Sequence, residues 1–196
     1  MAATKTTASV DDWTAVAQNT IVEGTEIDVS SSYGSTLHIQ AALDTTTAHT
    51  GTRFLVQTSG NTTGNEDWED FVEFIGLIGT AATDLIEDNP LAAASTAIAL
   101  TGHALTVLGK WLLIEDGTLV NSELVFEKSQ TTNEVVILDG ATNEHALNTA
   151  IFNVAFSKPI TIPIEFVRAR LIIDNSYDAD GSTLNVKCRV TKVTAV

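Results

Sequence analysis

The sequence predicts an all-β protein, an antiparallel β-sandwich interrupted by an inserted small β-barrel module. Hydrophobic residues make up 44% of the 196 residues, and proline occurs only three times. The chain is also rich in Thr, Val and Ile, which favour strands over helices. Several short segments alternate apolar and polar side chains with a period of two, which is typical of half-buried strands. Turn-forming residues separate these segments.

The clearest strand signal covers residues 162–193 near the C-terminus. Apolar residues of its second arm share one phase: Leu184, Val186, Cys188 and Val190. Asn, Ser, Asp and Gly residues gather over 174–181 and predict a tight turn. The segment is therefore predicted to be a β-hairpin. Its phase predicts that Cys188 is a buried, unreactive core residue.

The first half of the chain predicts further strands of the same sandwich. Residues 1–12 are small and polar, so we expect a flexible N-terminal arm that orders only where a neighbour holds it. Strands are predicted at 13–22 and 25–29. A clean alternation over 36–43 predicts a strand whose antiparallel partner is the segment 53–58.

The middle of the chain predicts a separate unit. A strand is expected over 71–78, and the Ala-rich segment 91–100 is interpreted as a loop that enters a strand. Short strands follow at 110–118, 121–129 and 133–140, then at 143–156, and together they predict a small β-barrel. Pro90 and Pro159 bracket this segment. The predicted domains are a sandwich of residues 13–89 and 158–196 and an inserted module of residues 90–157.

The charge of the chain excludes several classes of partner. A net charge of −15 and a pI near 4.4 would repel nucleic acid and anionic membranes. The N-terminal residues lack the apolar core of a secretion signal, and no apolar run approaches the roughly 18 residues that span a bilayer. We expect a protein that is made in the cytoplasm and leaves the cell, if at all, by lysis.

Motifs for catalysis, metals or cofactors are not found in the sequence. It contains no nucleophile elbow and no phosphate-binding glycine loop. The four histidines match no zinc spacing and are interpreted as ordinary surface or loop residues: His38, His49, His103 and His145. The turn over 176–181 begins like a calcium loop, but Lys187 stands at the twelfth position. We interpret it as a hydrated turn, with a weak cation site as the alternative. The chain is predicted to be no enzyme and to hold no cofactor.

A candidate interface is predicted from the distribution of charge. Half of the ten basic residues fall between positions 168 and 192: Arg168, Arg170, Lys187, Arg189 and Lys192. They could pair with acids on neighbouring strands of the same sheet. Alternatively, they could contact another copy of the chain or another protein. The segment richest in carboxylates that could pair with these basic residues is an acidic cluster made of Glu66, Asp67, Glu69, Asp70 and Glu73.

Two parts of the sequence resemble structural proteins of tailed bacteriophages. Residues 27–71, which begin IDVSSSYGSTLHIQAAL, and residues 167–193, VRARLIIDNSYDADGSTLNVKCRVTKV, resemble a virion-protein family of jelly-roll-like β-sandwiches. The segments WLLIEDG (111–117), SELVFE (122–127) and LDGATNEHA (138–146) resemble a small β module of phage structural proteins.

The resemblance implies a virion component that is assembled in the host cytoplasm and binds other copies of itself and other virion proteins. Capsid decoration, the role of a cement protein, is the favoured role, and a neck or tail component is the alternative. A carbohydrate-binding module for host recognition is a second alternative, because β-sandwiches host many lectins. A symmetric homo-oligomer is expected, since virion proteins repeat on a symmetric particle.

Overall fold

A computed structural model describes residues 5–30, 34–64, 67–102, 105, 110–177 and 186–195; side chains are not described at 5–8, 119, 177 and 186–195. These residues form strands and two short 3₁₀ helices, Leu119–Asn121 and Asn175–Tyr177, and no α-helix. The strands are β1 (Lys5–Val16), β2 (Ile21–Glu23), β3 (Ile27–Asp28), β4 (Ser35–Leu43), β5 (Ala48–His49), β6 (Thr52–Ser59), β7 (Glu69–Gly76), β8 (Gly79–Thr80), β9 (Thr83–Leu85), β10 (Ala97–Ala99), β11 (Trp111–Glu115), β12 (Glu123–Gln130), β13 (Glu134–Ile137), β14 (Ala150–Ile162), β15 (Arg168–Asp174) and β16 (Val186–Ala195).

The strands assemble into two main antiparallel sheets. The larger sheet has the order β1-β16-β4-β14-β11-β12-β13-β10, with β9 also paired to β14. The smaller sheet has the order β2-β15-β6-β7, with β3 also paired to β15. Strands β5 and β8 pair with each other and form a separate two-stranded sheet. Each of these pairings is antiparallel, which agrees with the predicted class.

The two sheets pack face to face over one hydrophobic core. Leu37 and Ile39 of β4 are fully buried in the same cluster as Phe54 of β6 and Leu171 of β15. The Phe54 ring stacks on Phe74 of β7, with 5.2 Å between ring centroids. Alternate residues of each strand therefore point into a shared interior, which is the architecture of a β-sandwich.

The inserted segment closes into a small barrel. From β14, the order of hydrogen-bonded strands runs through β11, β12 and β13 to β10. Ile86, just after β9, bridges to Leu100, just after β10, while β9 itself pairs with β14. The ring is thus complete, and a second cluster of buried residues fills it, including Ile98, Leu112 and Ile151. The prediction of a sandwich with an inserted small barrel is confirmed.

Strand β14 belongs to both modules. Its first half, up to Ala155, pairs with β11 of the barrel, and its second half, from Ala155 to Ile162, pairs with β4 of the sandwich. A boundary at residue 157 would fall inside this continuous strand. The division into a sandwich of residues 13–89 and 158–196 and an insert of residues 90–157 stays a prediction.

The predicted hairpin over residues 162–193 is wrong. Its two arms are β15 and β16, and they lie in different sheets: β15 pairs with β6, whereas β16 pairs with β1 and β4. The predicted pairing of segment 36–43 with segment 53–58 is wrong for the same reason, since β4 and β6 face each other across the core. Alternation along a strand fixes which face is buried, but it leaves the hydrogen-bonding partner open.

Several strand predictions are confirmed within small shifts of their bounds. Strand β7 covers most of the predicted segment 71–78, and β10 through β13 match the four strands expected between 91 and 140. The flexible arm was expected over residues 1–12, but Lys5–Val16 forms β1, which β16 holds. In β16 the backbone of Cys188 pairs with Ala41. Its side chain lies outside the described residues, so its burial stays a prediction.

Excision of the barrel is expected to leave a folded sandwich. Leu85 of β9 lies directly opposite Ala150 of β14, so the two strands can be joined by a two-residue type I′ turn. We expect the chain in which Asn-Gly replaces residues 86–149 to unfold cooperatively in urea. It should also keep the near-ultraviolet circular dichroism of Trp13, which is buried in the sandwich core. The intact chain is the reference. A molten excised chain, with no near-ultraviolet signal, would show that the sandwich requires the barrel.

Candidate functional site

Arg168 on β15 is a buried cation, and each of its three side-chain nitrogens donates a hydrogen bond within the chain. Its side chain is 8% exposed. Its Nε donates to the carbonyl oxygen of Asn61 at 2.6 Å, and Nη2 donates to the carbonyl oxygen of Gly64 at 2.9 Å. Nη1 donates to Glu26 Oε2 at 3.2 Å. The guanidinium therefore ties the loop after β6 to the edge of the smaller sheet.

Arg170 lies two residues further along the same face of β15 and is bound in a similar way. Its Nε donates to Gln57 Oε1 at 2.9 Å and its Nη1 to Glu23 Oε2 at 3.0 Å. Trp68 covers both arginines, with its ring centroid 4.8 Å from Cζ of Arg168 and 4.5 Å from Cζ of Arg170. Both cations thus contact neighbours on the same sheet, which was one of the two alternatives for their pairing.

The acidic cluster is distributed along β7 and the loop before it. Three of its carboxylates accept hydrogen bonds from cross-strand or loop neighbours: Glu73 from Arg53 at 3.0 Å, Asp70 from Gln57 at 2.8 Å and Asp67 from Asn61 at 2.7 Å. Glu69 is exposed at the start of β7, and Glu66 lies outside the described residues. The acids nearest Arg168 and Arg170 are Glu26 and Glu23, which were not among the predicted donors.

The other three basic residues of the candidate interface are separated from the first two by the sandwich. Lys187, Arg189 and Lys192 lie in β16 of the larger sheet, where their backbones pair with Ala42, Gln40 and Leu37. Their side chains lie outside the described residues. The five basic residues therefore belong to two different sheets.

A charged triad inside the barrel was not foreseen. His145 is fully buried, so its interpretation as a surface residue is wrong. Its Nδ1 lies 2.9 Å from Asp116 Oδ2, and its Nε2 lies 2.7 Å from Glu123 Oε1. Glu123 is buried as well and also accepts from the backbone N–H groups of Thr142 and Asn143. The triad ties the loop after β13 to the turn between β11 and β12.

The hydrogen bonds of the triad favour the charged forms of His145 and Glu123. Burial opposes charge on the imidazole, but the hydrogen bonds to Glu123 and Asp116 outweigh it and raise the pKa of His145 above 6.5. Burial likewise opposes charge on Glu123, but bonds from His145 and two backbone N–H groups hold the pKa of this carboxyl below 4.5. Both imidazole nitrogens face carboxylates and the ring is sealed from solvent, so the arrangement serves structure rather than proton transfer.

One signal in the sequence could have located this triad. Glu123, Val125 and Glu127 share the inward phase of β12, and all three are buried. Carboxylates in an apolar phase require a partner.

His49 was also expected at the surface, and it is buried too. Its Nε2 lies 2.8 Å from Thr52 Oγ1, and the Thr52 hydroxyl donates to Asn175 Oδ1.

The described part of the chain contains neither a cluster of metal-ligating side chains nor a helix that could span a membrane. No group of three or more His, Cys, Asp or Glu side chains there is placed to hold a metal ion. In the turn after β15, Asp174 Oδ1 accepts from the backbone N–H and hydroxyl of Ser176. Positions 178–181 of the possible calcium loop lie outside the described residues. Among the described helices, none has the length and apolar character needed to cross a bilayer.

A groove opens between the two sheets, and we call it the edge groove. It has a volume of about 560 Å³. Its lining consists of the end of β7, the start of β11 and the middle of β14: Phe74, Ile75, Gly76, Leu77, Ile78, Lys110, Trp111 and residues 153–158. Aromatic and aliphatic side chains form the walls, and two lysines supply the charge. A groove of this size and character can bind an apolar group that carries a negative charge.

We expect removal of the Arg168 guanidinium to destabilise the monomer. Arg168→Gln leaves the carbonyl oxygens of Asn61 and Gly64 without their donors, so the free energy of unfolding should fall by about 2–3 kcal/mol. Arg170→Gln is the matched control, with an expected loss of under about 1 kcal/mol, because its partner Glu23 is 65% exposed. Urea unfolding measures both. If Arg168→Gln were as stable as the parent but failed to associate, Arg168 would be an interface residue instead.

The triad predicts a specific dependence of stability on pH. A raised pKa of His145 means that its contribution is complete below pH 6.5 and is lost as the pH rises through the folded-state pKa. The lowered pKa of Glu123 means that its contribution is complete above pH 4.5 and is lost in acid. Unfolding free energy should therefore be greatest between these values and fall in alkali.

His145→Gln should remove the alkaline part of this dependence. It should also lower stability near pH 6 by about 3 kcal/mol, because it leaves Glu123 without a buried cation. Urea titrations at several pH values test this, with the half-exposed His38→Gln as the control. An unchanged alkaline slope in His145→Gln would assign the pH dependence to other groups.

Comparison with known proteins gives weak structural likenesses. No family model and no curated protein matches the chain. The SPBc2 prophage-derived protein YomS aligns over 100% of this chain and 96% of its own, with a TM-score of 0.33 and 10% identity. VP17, a capsid protein of bacteriophage P23-77, aligns over 99% of this chain and 97% of its own, with a TM-score of 0.21 and 7% identity. None of these likenesses is close enough to assign a function.

Proposed function

We propose that this chain is a non-enzymatic structural protein of a bacteriophage virion, with capsid decoration as the favoured role. The observation that carries the proposal is how the described polar groups are used. The buried His145 is enclosed by two carboxylates, and Arg168 and Arg170 are bound to their own sheet. The edge groove, by contrast, remains open and mostly apolar. Such a surface suits adhesion rather than chemistry.

The sequence resemblance to virion proteins supports the same role. Segments 27–71 and 167–193 carry that resemblance, and they contribute β4, β6, β15 and β16 to the sandwich. A rigid sandwich with a fused barrel offers a broad surface for binding other virion proteins. In this role the protein contributes contacts to a particle, and no cofactor is required. The chain would be assembled into the virion in the host cytoplasm.

The carbohydrate-binding alternative has little support from the tryptophans that would have to bind sugar. Trp13 is buried in the sandwich core. The Trp68 ring is covered by two guanidinium groups. Trp111 packs edge to face against Phe126, with 5.3 Å between ring centroids, and only part of it lines the edge groove. A flat exposed aromatic surface, which glycan binding commonly uses, is not offered by any of the three.

The copy number of the chain in purified virions tests the proposal. Quantitative mass spectrometry should find hundreds of copies per particle if the chain decorates a capsid, because capsid sites repeat with the lattice symmetry. About a dozen copies would instead indicate the neck alternative. Absence of the chain from washed virions would overturn the virion role.

Particles that lack the chain provide the second half of this experiment. Purified protein added to such particles should bind until the measured copy number is restored. Binding to empty capsids but not to isolated tails would support decoration, and the reverse would support a tail component. A soluble β-sandwich protein of similar charge is the control for non-specific adsorption.

A further inference from the structure

The edge groove contains a lysine, Lys158, that contacts an aromatic ring. Lys158 Nζ lies 3.7 Å from the centroid of the Phe74 ring. Among the described residues, no carboxylate forms an ion pair with Lys158. Lys110 is exposed at the same groove. In a chain with a net charge of −15, a lysine such as Lys158 that lies beside apolar walls without an ion pair among the described residues indicates a site for a carboxylate that comes from elsewhere.

The walls of the groove expose more apolar surface than isolated surface residues would. Ile78 is 65% exposed and Ile75 is 41% exposed. After Gly76, Leu77 takes a φ of +59° and is buried, while Ile78 beyond it stays exposed. A Cβ at Gly76 would lie 2.7 Å from the Phe156 ring. The absence of a side chain therefore allows the end of β7 to pack closely against Phe156 in the groove.

The apolar surface continues from the groove onto the outer wall of the barrel. Trp111 and Phe126 are opposite each other on β11 and β12. The backbone N–H of Leu138 donates to the carbonyl oxygen of Phe126, and Leu138 is 58% exposed. Trp111, whose ring packs on Phe126, therefore links the groove to the barrel wall on which Leu138 is exposed. Exposed apolar patches of this kind mark protein-binding surfaces.

A matching group is present elsewhere on the same chain. The turn between β14 and β15 presents Ile164, which is 69% exposed, beside the exposed Glu165. An isoleucine next to a carboxylate is the chemistry that an apolar groove with a lysine would recognise. This turn cannot reach the groove of its own copy, because Ile164 lies six positions after Lys158 and most of that segment belongs to the extended strand β14. Along an extended strand that separation is about 20 Å.

We propose that the edge groove binds the turn of residues 163–166 from a second copy of this chain. Ile164 then packs against Trp111 and Ile78, and the Glu165 carboxylate pairs with Lys158. The contact is head to tail, because the groove of one copy meets the turn of the next. Repetition of such a contact produces a closed ring when the rotation between copies closes and a filament when it does not. The proposal does not depend on the virion role, since it concerns the purified chain.

Charge reversal tests the pair directly. Sedimentation velocity should show concentration-dependent association of the parent chain, and Lys158→Glu or Glu165→Lys alone should weaken it by about tenfold or more in Kd. The double variant Lys158→Glu with Glu165→Lys should restore association to within about threefold of the parent. Lys128→Glu and Glu144→Lys are matched controls, because both residues are exposed and neither lines the groove. Neither control should change Kd by more than about twofold.

A second pair of variants tests the apolar part of the contact. Ile164→Ser and Ile78→Ser should each weaken association without lowering the urea midpoint, since both side chains are exposed in the monomer. A parent chain that stays monomeric up to about 1 mM would overturn the proposal. So would association that the single charge reversals leave unchanged, or a double variant that remains as weak as the singles. These outcomes leave the virion role unaffected, because copy number in particles is measured separately.

Discussion

The continuity of β14 is the constraint on which the rest of this structure depends. The first half of this strand is part of the barrel, and its second half takes a central position in the larger sheet. Ala155 pairs with Trp111 on one side and with Ala42 on the other. Because an extended strand is stiff along its length, β14 fixes the orientation of the barrel relative to the sandwich. The edge groove lies beside this junction, and its walls come from both modules.

Charge in this chain is used in two different ways. Inside the barrel, opposite charges lie close together and are sealed from water, so they fix the position of a loop at the cost of desolvation. At the edge of the smaller sheet, arginines bridge carbonyl oxygens, a tryptophan ring and partly exposed glutamates. The lysines of the edge groove follow neither pattern. Lys158 contacts the Phe74 ring and forms no ion pair with the described carboxylates.

Sequence reasoning was accurate for properties that depend on local pattern. The class of the fold, the closed insert and most strands follow from alternation and turn residues, because these features are decided within a few positions of the chain. Strand partners were wrong for β15 and β16, because a chain that leaves one sheet can cross the core to the other with the same alternation. The role of His145 and the carboxylate partner of Arg168 were missed, because Glu123 and Glu26 are distant from them in sequence.

The placement of Leu85 opposite Ala150 has a consequence for the order of folding. These residues are far apart along the chain, and closing so long a loop has an entropic cost that grows with its length. If the barrel forms first, its own local hairpins bring β9 and β14 together before the sandwich exists. The larger sheet can then grow from a template that already holds β14 in place, and the slow search for distant strand partners is reduced to the capture of β4.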